Sequence, residues 1–151
     1  MKNFESKQKI TEACKHNLND RMAVAQEDLR RLREGAGRNA DDNMSETYES
    51  NQQEMLNDMS DLQAHFDFLE ESAALFNRID FQSEYDQVQP GAVVVTDKMT
   101  FLVGISGEFE CEGKKVYGIS TSAPIYEAMK NKKSGEGFSI NSSTFQISEV
   151  Y

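Results

Sequence analysis

Four carboxylates, Asp41, Asp42, Glu46 and Glu49, crowd into nine consecutive residues. Carboxylate oxygens are hard ligands, and Mg²⁺ needs only one or two of them besides water and phosphate. Such a group could share a Mg²⁺ ion with a partner protein while binding none alone. Asp42 and Glu46, four residues apart, would converge on one helix face and are the candidate metal ligands. Acids also complement the dipole at a helix N-terminus, so capping and metal sharing stand side by side here. Other chemistry is sparse. Cys111 sits between Glu110 and Glu112, which would raise a thiol pKa and quench a nucleophile. Cys14 reads as a small apolar filler, and His16 and His65 read as solvent-facing or flanking a packed seam. The two cysteines make neither a disulfide framework nor a zinc site. Cys111, His16 and His65 are the only acyl-transfer set on offer, and two of the three would lie on an exposed rod. The chain is therefore expected to have no catalytic residues of its own.

Composition narrows the partners. The 151 residues carry 16 Lys+Arg against 26 Asp+Glu, a formal net charge of −10. Phosphate-backbone affinity comes from clustered Lys and Arg, so independent nucleic-acid binding is not expected. No apolar run approaches the roughly 20 residues that span a bilayer, and Met1–Ser6 hold no apolar signal core. A soluble, reduced, cytoplasmic protein without membrane contact is expected.

Two modules must position these residues. Helix formers dominate residues 1–80, which hold no proline; both prolines and seven of the nine glycines lie beyond residue 80. Met55, Met59, Leu62, Phe66, Leu69, Ala73 and Phe76 alternate steps of four and three, the a/d seam of a coiled coil. Ile10, Cys14, Leu18, Met22, Ala25, Leu29 and Leu32 form a matching seam. Helix stoppers and cap residues fill 33–43, including Gly35 and Gly37. The reading is two helices of about 30 residues in an antiparallel hairpin, projecting as a rod with its acidic tip near 38–49. No Lys or Arg occurs from Asn39 to Asn77, whereas the first helix has nine basic residues, Lys7 among them. Interhelical charge pairing and a solvated outer face account for most of this.

Residues 84–151 read as strands around one short helix. Buried strands are expected at 91–96, 101–105 and 115–119, with turns at Ser106-Gly107 and Glu112-Gly113-Lys114. Pro124 opens a short helix through Lys130, with Ser122 as its cap. Strands at 138–140 and 144–148 complete about five. The fold class is α+β: a long N-terminal helical hairpin, then a small β-rich domain.

This order of parts resembles the bacterial Gre transcript-cleavage factors. Ser120-Thr121-Ser122-Ala123-Pro124-Ile125-Tyr126-Glu127-Ala128-Met129-Lys130-Asn131-Lys132-Lys133-Ser134-Gly135-Glu136 looks like the family's Ser-Pro-Ile-x-x-Ala-Leu-x-Gly-Lys-x-x-Gly-Asp segment, with Ala123 inserted before the proline. The closing Phe145-Gln146-Ile147-Ser148-Glu149-Val150-Tyr151 resembles the family's last strand.

The resemblance implies an FKBP-like C-terminal domain that docks on core RNA polymerase at the rim of the secondary channel. It implies that Ser122, Pro124 and Ile125 make that contact. The coiled coil would enter the channel as a monomer and bring Asp41, Asp42, Glu46 and Glu49 to the active centre. There Asp42 and Glu46 would help hold a Mg²⁺ ion shared with the polymerase, which itself cuts backtracked RNA. At the tip the sequence departs from the family pattern Asp-x-x-Glu followed by Asn-Ala-Glu-Tyr. One register puts Asn43 at the Asp position, and the other puts Met44 at the Glu position. A cleavage stimulator, an inhibitory homologue that merely occupies the channel, and a structural coiled-coil adaptor are the readings this leaves.

Overall fold

The computed structural model describes the backbone of residues 2–39 and 46–151, and the side chains of 5–35 and 52–151. Helix α1 spans Lys2–Asn39 and helix α2 spans Glu46–Arg78. A six-stranded sheet follows, formed by β1 (Val93–Thr96), β2 (Thr100–Val103), β3 (Gly107–Cys111), β4 (Lys114–Ile119), β5 (Gly137–Ile140) and β6 (Ser143–Val150). The short helix α3, Pro124–Met129, lies between β4 and β5. The fold is α+β, as the composition shift implies.

The chain divides into two compact units, one of residues 18–71 and one joining 1–17 with 72–151. In the first, the heptad seam closes as expected. Leu18, Ala25, Leu29 and Leu69 are buried, and Met22, Leu32, Met55, Met59, Leu62 and Phe66 are half-buried. Apolar residues off the seam stay outside: Val24, Leu56 and Phe68 are exposed. The two helices meet where Arg33 donates to the Gln63 amide oxygen at 3.2 Å. Two expectations need correction. α1 continues through Gly35 and Gly37 instead of stopping at residue 33, because a glycine weakens a helix by only about 1 kcal/mol and seam packing outweighs that. The ion pairs among the described residues of this unit run within α1, from Arg30 to Glu27 and Glu34 and from Arg31 to Glu27, and not between the helices. They sit three or four residues apart, the spacing at which side chains on one helix meet.

The sheet order is β3-β4-β2-β1-β6-β5. Only β2 and β4 run parallel; the other neighbours are antiparallel. One face carries the main core, where Val94, Phe101, Val103, Ile119, Phe145 and Ile147 pack with Tyr126 and Met129 of α3. Side chains alternate along a strand, so Val93, Leu102, Val116 and Tyr151 face the other way and are buried too. Ser6, Lys9 and Ile10 of α1 line a cavity of about 330 Å³ with that second face, and Lys9 pairs with Glu112 at 3.0 Å. Strand β3, at one edge of that order, is an addition to the expected strands: local pattern gives Gly107 to a turn and assigns 108–111 to no element. Its Gly-Glu-Phe-Glu-Cys run offers one buried residue, Phe109, between exposed acids, and its pairing with β4 supplies the order that propensity does not.

Candidate functional site

The segment that carries the family resemblance folds as one fastened piece. After β4, the Ser120 carbonyl accepts from the Ala123 amide at 3.0 Å, making a tight turn. Ala123 is extended, with φ −74° and ψ 142°, as a residue before proline must be. It therefore takes the N-cap position, and Pro124 follows at the first helical position. Ser122 is not the cap. Its hydroxyl lies 2.9 Å from that of Ser120, and its amide donates to the Ser120 hydroxyl at 3.2 Å. The extra residue before the proline displaces the serine by one position.

One side of α3 buries Tyr126 and Met129 in the sheet core. Pro124, Glu127 and Lys130 are exposed, and Ile125 and Ala128 are half-buried against that core. Of the three residues expected to dock, Ser122 and Pro124 thus stand in solvent at the same end of the helix. Ile125 is shared between surface and core. Past the helix, Asn131 takes a left-handed φ of 65° and its amide donates to Val88 at 3.0 Å. Val88 in turn donates to Lys132 at 2.8 Å, and the Ser134 hydroxyl donates to the Ser148 carbonyl at 2.7 Å. Gly135 donates to Ile147 at 2.8 Å, which tethers the segment to β6. Lys132 and Glu136 approach to 4.0 Å. The backbone from 120 to 136 is held at both ends, so a partner would meet a preformed surface.

The tip lies outside the described residues: Asp41 and Asp42 entirely, and Glu46 and Glu49 in their side chains. Beyond it, Glu54, Asp58, Asp61, Asp67, Glu70 and Glu71 are exposed along α2, the solvated acidic face that the charge count implies. Among the described residues, no group of three His, Cys, Asp or Glu could hold a metal ion. His16 and His65 are exposed. Cys14 is buried on the seam, and burial pushes its thiol up to about 11. Cys111 is half-buried, and burial followed by the Glu112 charge pushes its thiol upward, against the opposing pull of Lys9. Both thiols are held protonated at neutral pH.

Lys7 is the residue that counting charges misses. Instead of standing in solvent it is 1 % exposed, and its Nζ donates to the Ser83 carbonyl and lies 4.4 Å from the centre of the Tyr85 ring. A signal was present: extending the α1 seam backwards by three residues from Ile10 lands on Lys7.

Among the described residues, no helix is long and apolar enough to cross a membrane. No family model matches the chain. No curated protein matches it either. Among solved structures the chain is similar to the transcription factor Gfh1, at 14% sequence identity over 92% of this chain and 94% of that one, with a TM-score of 0.39.

Proposed function

We propose that this chain is a Gre-like regulator of transcription elongation that binds core RNA polymerase. The observation that carries the reading is the 120–136 segment. Its Ser-x-Pro start is exposed, its helix is anchored by Tyr126 and Met129, and its return is tied to Val88 and β6. That is the construction a docking surface needs, with the backbone fixed and a small apolar and hydroxyl surface left open. The two long helices supply the second part, and in the sequence the acids Asp41, Asp42, Glu46 and Glu49 fall between Asn39 of α1 and the first turn of α2. In a secondary channel, such acids would help hold a Mg²⁺ ion that the polymerase already uses, and no nucleophile from this chain is required. The protein works in the cytoplasm as a monomer, binds no metal alone and is not an enzyme. Its net charge of −10 disfavours independent binding to nucleic acid.

The test is RNA cleavage in a backtracked elongation complex, with the wild-type chain and with Asp42→Ala/Glu46→Ala. Faster cleavage that the double variant loses identifies a stimulator. Polymerase binding without faster cleavage identifies a channel-occupying inhibitor, with Asn43 or Met44 in place of a family acid as the reason. Absence of binding rejects the reading. A coiled-coil adaptor is the second reading, and exposed Leu56 and Phe68 on α2 favour it as apolar contacts for a partner helix.

A further inference from the structure

Between α2 and β1 runs a connector, residues 79–92, and its start is built around Lys7. Asp80 accepts from the amides of Gln82 (2.9 Å) and Ser83 (3.1 Å) and from the Ser83 hydroxyl at 2.5 Å. The Tyr85 hydroxyl donates to the Asp80 carbonyl at 2.7 Å. Gly91 has a φ of +96°, and a Cβ there would run into that same carbonyl oxygen. Phe81 stacks on Phe76 at the end of α2, with ring centroids 4.8 Å apart. Lys7 reaches into this arrangement, yet it has no ion-pair partner among the described residues. It satisfies one of three donors on a carbonyl and rests on a ring. Asp80, Glu84 and Tyr85 are the titratable groups that face it, and Glu12 and Lys15 of α1 line the cavity beside it.

A buried ammonium without a carboxylate in contact is a costly arrangement, since water solvates the charge better. The cavity beside it, of about 400 Å³, is lined by Lys7, Gln8, Thr11, Glu12, Lys15 and Phe76. We propose that Lys7 is a release point: its charge favours opening of the connector, so the junction of the two helix ends with the sheet opens there before the sheet itself does. An ammonium that ordinarily titrates at 10.5 is brought down to about 8 here, burial being the main cause, against the pull of Asp80 and Glu84. In the opened form Lys7 binds its proton more tightly than in the closed form. Closing is therefore favoured as pH rises through 8, and the gain is complete above 10.5.

Hydrogen exchange of the full chain tests this, with rates corrected for the intrinsic pH dependence of each amide. Lys7→Met keeps the approximate length and removes the charge. The expected result at pH 7 is slower exchange across 80–87 by about tenfold or more, with β1, β2 and β4 unchanged. In the wild type, protection of 80–87 should rise between pH 7 and 9, and in Lys7→Met it should stay level. Lys7→Arg, which keeps the charge, should exchange at least as fast as wild type. Faster exchange in Lys7→Met, or failure of that variant to fold, would make Lys7 a plain anchor and overturn the proposal.

Discussion

Residues 18–71 bury a single seam between two helices, whereas the unit of 1–17 and 72–151 buries both faces of a six-stranded sheet. In the first, Leu69 is the side chain closed off completely, and Val24, Leu56 and Phe68 stand exposed. In the second, Val93, Val94, Leu102, Val103 and Met129 are all fully buried. The seam reads directly from spacing because its contacts repeat every three or four residues. The sheet depends on pairings between distant segments, such as β1 with β6, that no local pattern encodes. A protein built this way has one part whose sequence is free to vary its surface charge and another whose sequence is committed to packing.

The comparison is broken most forcefully inside the sheet. Met129→Ala removes the side chain that joins α3 to the core and should cost about 3–4 kcal/mol, with loss of the cooperative thermal transition of the sheet unit. Leu69→Ala should cost somewhat less, about 2–3 kcal/mol, because a two-helix seam can relax around the gap. Circular dichroism melts would rank the two, and equal costs would mean that the seam is packed as rigidly as the sheet. Gly35→Ala should stabilise the hairpin by about 1 kcal/mol, since the new Cβ would meet only the Met55 methyl at 3.9 Å. A loss of helicity in that variant would show that Gly35 marks a real break in α1.

Two smaller effects concern charge. Hydrogen bonds from Ser83 and Gln82 hold the Asp80 carboxyl below its ordinary 3.8, so its contribution is present above about pH 4 and is lost as acid protonates it in the fold. Asp80→Asn should flatten that acid limb in a pH-dependent melt. Arg30→Ala, at a pair of solvent-exposed intrahelical bridges, should leave the melting temperature unchanged within error. A clear drop there would mean that α1 depends on its surface charges.

How much of this was legible follows from the same contrast. Both heptad seams, the strands at β1, β2 and β4, and the helix begun by Pro124 could be read from local pattern. Strand β3 could not, because Glu108-Phe109-Glu110 offers a single apolar residue and its order comes from pairing with β4. α1 runs past Gly35 because a glycine's local cost is small against a packed seam. The inserted Ala123 moved the cap away from Ser122, a one-residue shift that the residue before proline settles. Of the candidate site, Ser122, Pro124 and Ile125 came from the family resemblance alone; the exposure of Ser122 and Pro124 and the half-burial of Ile125 needed the folded sheet unit. The burial of Lys7 was written in the seam but hidden by the habit of counting lysines as solvated.

The central claim is that the 120–136 surface docks this chain on RNA polymerase. Its most direct test is the binding of core polymerase to the full chain and to Pro124→Asp, with the fold of each checked by its melt. Wild-type binding and its loss in a Pro124→Asp variant that melts normally are expected, because Pro124 is exposed and bears little of the core. Wild-type chain that leaves the polymerase unbound, or Pro124→Asp that binds as well as wild type, would contradict it.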